Sequence, residues 1–146
     1  MTGVNVLLDT GPIVALLHAG DFDHRRCRAF LEEFKGEFVT TEAVLTEAMA
    51  LLSRIRRGPQ AALDFFLKRG AALVPQSPQS LERARELIAK YEDVPMDFAD
   101  ATLVVLAEEL ETGEIFTLDR RGFRVYRWGR NRAFRIHPET ISSRGT

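Results

Sequence analysis

The chain of 146 residues contains one cysteine, Cys27, so it can close no internal disulfide; its three histidines, His18, His24 and His137, have no zinc-type spacing with that cysteine or with one another. A structural zinc or a thiol nucleophile is disfavoured, and Cys27 reads as a packing residue on a short helix. Long apolar runs are missing too. None approaches the roughly 18–20 residues that span a bilayer, and no basic region followed by an apolar signal segment opens the sequence. The expectation is a soluble, cytoplasmic protein. Repeats, low-complexity segments and linkers are lacking as well, and 45% hydrophobic with 28% charged residues suits one domain over 1–146 with a full core. Only the terminal "SSRGT" looks frayed.

What the chain has is an uneven charge. The net value is −1, yet from Asp119 onward eight arginines face two acids, Asp119 and Glu139, while the first 118 residues hold 12 bases and 19 acids. Such asymmetry fits an anionic partner at the C-terminal end or an ordinary solvated face. In "RRGFRVYRWGRNRAFR", Phe123, Tyr126 and Trp128 are interleaved with arginines. They read either as base-stacking platforms for single-stranded nucleic acid or as the inward side of a hairpin.

The stretch "NVLLDTG" is an apolar run that stops on Asp9. An aspartic protease loop, a strand delivering a carboxylate to a metal, and a helix cap all fit it in isolation. The remaining pattern discriminates. "VNVLL" is a strand, and Gly11-Pro12 opens a helix to about His18. A helix follows from about His24 to Phe34, then a strand at Glu37–Thr40 and a Thr41-capped helix that runs to Gly58. Pro59 starts a helix to about Gly70, "AALVP" is a third strand, and Ser77 or Ser80 opens a helix to about Tyr91. A helix from about Asp97 to Glu111 precedes the strand "EIFTL", and "FRVY" with "AFRI" offers an edge strand. Strands alternating with helices predict an α/β fold with a parallel sheet covered on both sides. A nearly all-β protease does not fit.

In such a sheet, ligands gather at the C-terminal strand ends. Asp9 ends the first strand and Asp119 the fourth. On the Thr41 helix the apolar face is Val44, Leu45, Ala48, Leu51, Leu52 and Ile55, with Glu47 on its margin. On the late helix Asp100 extends the stripe Leu103, Ala107, Leu110 by one turn. Asp100 also sits where Asp97 as N-cap would bond it. Four carboxylates converging on one edge repel one another unless a cation joins them. Oxygen donors without His or Cys suit Mg²⁺ or Mn²⁺, which can activate water against a phosphodiester.

The motifs "VLLDTGPIVALL", "TTEAVLTEAMALL", "PMDFADATLVVLAEE" and "IFTLDRRGFRVYR", in this order over about residues 4–128, resemble the PIN-domain ribonucleases, and among them the VapC-like toxins of toxin–antitoxin pairs. The resemblance implies a three-layer α/β/α fold around a central parallel sheet of four to five strands. It carries the family's acids onto Asp9, Glu47, Asp100 and Asp119, with Thr117 as the small hydroxyl residue before the last. The implied activity is Mg²⁺- or Mn²⁺-dependent endonucleolytic hydrolysis of RNA, a transfer RNA or ribosomal loop included. Asp9, Asp100 and Asp119 then hold the cation, and Glu47 orients or deprotonates the attacking water. Asp97 caps the helix, supports a ligand from behind or holds a second cation, the cap being favoured. Arg120, Arg121, Arg124 and Arg127 are expected to hold the RNA backbone. Family members form homodimers and are silenced by an antitoxin, so both partners are expected here. The rivals are an antitoxin-independent PIN nuclease in RNA processing, an inactive PIN-like binding module, and a haloacid-type phosphatase, which wants an aspartate where Gly11 stands.

Overall fold

The structure, a computed structural model, describes residues 4–139, so the "SSRGT" terminus lies outside the described residues. The strands β1 (Asn5–Leu8), β2 (Glu37–Thr40), β3 (Ala72–Leu73) and β4 (Glu114–Phe116) appear in chain order, followed by a small hairpin of β5 (Arg127–Trp128) and β6 (Arg132–Ala133), and by β7 (Arg135–His137). Five of them form one sheet in the order β3-β2-β1-β4-β7, with every pairing parallel. Successive residues Val6, Leu7 and Leu8 of the central β1 are 2%, 0% and 0% exposed. Side chains alternate between faces along a strand, so burial of consecutive residues means that both faces are covered.

The covering helices are α1 (Thr10–Leu17), α2 (His24–Glu33), α3 (Glu42–Leu51), α4 (Gly58–Arg69), α5 (Pro78–Lys90), α6 (Phe98–Leu110) and the single turn α7 (Arg120–Phe123). Their starts follow local chemistry. Asp9, Thr41, Ser77 and Asp97 each sit in extended backbone and accept a hydrogen bond from an amide of the first turn. In this sheet β1 and β4 are neighbours, and the amide of Asp9 donates to the Phe116 carbonyl at 3.0 Å. The C-terminal ends of the two central strands are thereby locked side by side.

Two expectations need correction. The Thr41 helix stops at Leu51 rather than Gly58: Leu52–Arg57 forms turns, and Arg57 adopts a left-handed φ of 59° before Gly58. In consequence Leu51 is 60% exposed and Ile55 lies beyond the helix, so the buried face is Val44, Ala48 and Leu52. "FRVY" is not a strand, because the Asp119 carboxylate takes the Gly122 amide and turns the chain into α7. The fifth sheet strand comes only from "AFRI", as β7 paired parallel to β4. Of the two readings of the aromatics, inward packing is the one observed: Phe123, Tyr126 and Trp128 are 0%, 0% and 7% exposed. They pack inward, Phe123 edge-on against Tyr126 and Phe134, and offer no stacking surface for bases.

Candidate metal and active site

Asp9 stands at the carboxyl end of β1 and is almost wholly buried. One carboxylate oxygen accepts the Thr10 amide at 2.8 Å and the other accepts the Thr117 hydroxyl at 2.6 Å. The Thr117 oxygen in turn accepts the Asp119 amide at 2.9 Å. From the other side, the Thr10 hydroxyl donates to Glu47 at 2.7 Å, reaching from the start of α1 to α3. A continuous chain of bonds therefore runs Glu47, Thr10, Asp9, Thr117, Asp119, and it joins three of the four acids that the sequence singles out. Thr10 is a member of this network that sequence reasoning passed over; its only signal was a hydroxyl directly after Asp9.

Asp100 arrives from α6. Its amide donates to Asp97 at 2.8 Å and its carboxylate accepts the Asp97 amide at 3.2 Å, a reciprocal capping box. Asp97 is thus the N-cap of α6. The helix start is fixed from within by Thr102, whose hydroxyl bonds that of Thr41 at 2.8 Å.

The acids feel one another. Burial pushes the Asp9 carboxyl up to about 6 against the lowering bonds from Thr117 and Thr10, and the charges of Asp119 and Glu47 raise it further. Asp100 is pushed up to about 8, first by burial and then by Asp97 and Asp9. The Tyr126 hydroxyl, which donates to the Pro95 carbonyl at 2.9 Å, is also raised, by burial first and then by Asp100, Asp119, Asp97 and Asp9. Among the described residues none of Asp9, Glu47, Asp97, Asp100 and Asp119 makes an ion pair. A knot of carboxylates with no internal cation is costly. Among the described residues, no group of three or more His, Cys, Asp or Glu can hold a metal ion as the side chains stand. The donor set nevertheless suits a hard divalent cation: it is all oxygen, it is charged alike, and Mg²⁺ keeps several waters that reach ligands lying further apart.

The arginines sort into distinct roles. Arg127 spends one guanidinium nitrogen on the carbonyls of Arg124, Val125 and Tyr126, which is a structural task. Arg120 donates to the Pro138 carbonyl at 3.1 Å, and its pKa is lowered by burial and by the charges of Arg124 and Arg26. Arg26 of α2 is thus near enough for its charge to be felt at Arg120, and it is itself paired with Asp23 at 3.4 Å. Arg121 and Arg124 are exposed. Cys27 is fully buried on α2, as a packing residue should be, and desolvation pushes its thiol up to about 12.

A parallel sheet in the order β3-β2-β1-β4-β7 with carboxylates at the carboxyl ends of its central strands defines a class, and residues 6–128 match the PIN domain family. The chain belongs to that family. Over 124 residues it is 30% identical to Ribonuclease VapC26 of Mycobacterium tuberculosis, covering 84% of this chain and 92% of that one. The fold is shared with VapC20 of M. tuberculosis, a Sarcin-Ricin loop cleaving toxin (TM-score 0.70, 22% identity, 75% of this chain and 86% of that chain). It is shared as well with VapBC2 from Rickettsia felis bound to a DNA fragment from the promoter (TM-score 0.62, 17% identity, 91% and 98% covered). A toxin–antitoxin complex from Klebsiella pneumoniae is similar too (TM-score 0.61, 19% identity, 81% and 89% covered). No helix among the described residues is long and apolar enough to cross a membrane.

Proposed function

We propose that this chain is a divalent-metal-dependent endoribonuclease and the toxin of a VapBC-type pair. The observation that carries the reading is the unneutralised carboxylate edge, in which a buried Asp9 is held between Thr117 and Thr10 while no cationic side chain among the described residues pairs with it. A relative that is itself a ribonuclease supports the substrate class, and neighbours that are toxins or toxin–antitoxin complexes support the antitoxin partner.

Asp9, Asp100 and Asp119 would hold Mg²⁺ or Mn²⁺, directly or through water. When bound, the cation offsets their charge and polarises the phosphodiester and the attacking water. Glu47 accepts the water proton as the water oxygen bonds to phosphorus; one ester P–O bond breaks and its oxygen leaves with a proton from solvent. Thr10 points Glu47 by donating to one carboxylate oxygen, leaving the other free for the water. Thr117 keeps Asp9 ionised, since its hydroxyl bond lowers the Asp9 pKa. The exposed Arg121 and Arg124 together with Arg120 hold the RNA strand, and the chain works as a homodimer in the cytoplasm. Arg127, occupied by backbone carbonyls, is removed from the RNA-holding set.

The test is incubation of a cellular RNA pool with the purified chain in Mg²⁺ or Mn²⁺, in EDTA, and with Asp9→Asn. Discrete fragments that vanish in both controls are expected. Cleavage that survives EDTA and Asp9→Asn would refute the assignment.

A further inference from the structure

Val94, Pro95, Asp119, Arg121 and Gly122 line a cavity of about 240 Å³, so a residue of the acid edge also forms one of its walls. The walls are stiff. The Val94 amide donates to the Tyr91 carbonyl at 2.9 Å, and the Pro95 carbonyl accepts the Tyr126 hydroxyl at the same distance. The rings of Tyr91 and Tyr126 brace each other edge to face at 5.1 Å. On the opposite side Gly122 can carry no side chain, because a Cβ there would come within 2.7 Å of Asp119 Oδ2 and 3.0 Å of the Tyr126 ring. Asp119 is held in place by the Gly122 amide at 3.0 Å. The one adaptable wall is Arg121, which is exposed and whose side chain makes no hydrogen bond or ion pair among the described residues.

We propose that this cavity receives the nucleobase of the nucleotide flanking the scissile phosphate, with guanine preferred. The inference rests on the ribonuclease reading, because it is Asp119 that places the cavity beside the reacting phosphate. A phosphate group is a poor occupant: the Asp119 carboxylate and the Pro95 carbonyl edge would repel it, and only Arg121 would attract it. A neutral, flat base meets no such repulsion. It packs on the apolar faces of Val94 and Pro95, as unstacked RNA bases do on protein surfaces. Arg121 then chooses among bases, since its paired N–H groups match the O6 and N7 acceptors of guanine, whereas adenine presents a donor at the corresponding position. Asp119 is the other charged group on the cavity wall, and among the described residues it makes no ion pair with Arg121, whose guanidinium is left for the base.

The test is sequencing of fragment ends after cleavage of a randomised single-stranded RNA pool in Mn²⁺ by wild type, Arg121→Ala and Val94→Trp. Wild type should enrich guanine roughly tenfold at one position next to the cut; Arg121→Ala should cut more slowly, because a strand contact is lost as well, and among the fragments it yields that position should fall close to parity. Val94→Trp, which fills the cavity, should slow cleavage by roughly tenfold with thermal stability and Mn²⁺ affinity retained. If wild type cuts and Arg121→Ala keeps the same base preference, the cavity is not a base subsite, and the nuclease reading stands. If wild type cuts nothing in Mn²⁺, the underlying reading falls and this one with it.

Discussion

Thr117 gives its hydroxyl hydrogen to Oδ2 of Asp9 at 2.6 Å, from a position 108 residues further along the chain. The bond is among the few influences that keep the buried Asp9 carboxyl ionised against desolvation. Thr117→Val keeps the shape and removes both the donor to Asp9 and the acceptor of the Asp119 amide. Asp9 should then titrate above its present value of about 6, and the Mn²⁺ concentration giving half-maximal cleavage should rise by about tenfold, as for other groups that orient metal ligands. A metal titration of cleavage at pH 7 checks it; an unchanged midpoint would mean that Thr117 only packs.

Thr10 has a different task. Its hydroxyl fixes Glu47, which is not among the proposed metal ligands. Thr10→Val should lower kcat by roughly 10- to 100-fold while leaving KM and the Mn²⁺ midpoint near their wild-type values. Equal losses in kcat and Mn²⁺ affinity would instead place Glu47 on the cation.

The raised carboxyls make stability depend on pH in a definite direction. Asp9 and Asp100 titrate near 6 and 8 in the fold against an ordinary carboxyl value of 3.8, so the folded state binds more protons than the unfolded state between these values. Their contribution is complete below about pH 4 and is lost as pH rises through 6 and then 8. Keeping the buried Asp9 ionised costs on the order of 3 kcal/mol. In EDTA, Tm should therefore fall between pH 4.5 and 8.5, less so in Asp9→Asn, whose missing share is lost mostly below pH 6, and Mg²⁺ should restore Tm at pH 8.5 much more than at pH 4.5. Thermal melts at the two pH values decide this, and a Tm that rises with pH equally in both proteins would count against it.

Salt dependence separates the arginines. Replacing the exposed Arg124 by Gln should reduce the slope of log K against log salt for single-stranded RNA by roughly 0.7 for each phosphate that the protein no longer neutralises. Arg127→Gln should leave the slope alone and lower Tm, because its guanidinium holds three backbone carbonyls. The measurement is binding by Asp9→Asn protein at several salt concentrations; a reduced slope for Arg127→Gln would return that residue to the RNA surface.

The parts of the fold that were legible in the sequence are those set by short-range chemistry. The apolar run ending at Asp9 announced a strand covered on both faces, and Asp97 three residues before Asp100 announced a capping box, because both patterns are complete within a few residues. The bond from Thr10 to Glu47 spans 37 positions and exists only once α1 and α3 pack together, so no local pattern could show it. The same holds for Arg26, brought beside Arg120 by α2. "FRVY" misled for the opposite reason: its alternation looks like a strand, yet the carboxylate of Asp119 captures the Gly122 amide and the turn wins. The aromatics there could be read as a binding surface or as the inward side of a hairpin, because their neighbours are arginines; packing decides, since each aromatic ring is a core residue.

The most direct measurement is a calorimetric titration of metal-free protein with Mn²⁺ at pH 7.5, comparing wild type with Asp9→Asn. Wild type should show saturable binding that the single substitution abolishes or weakens by at least about tenfold. Identical isotherms for the two proteins, or no saturable binding in wild type, would contradict a cation site at this carboxylate edge.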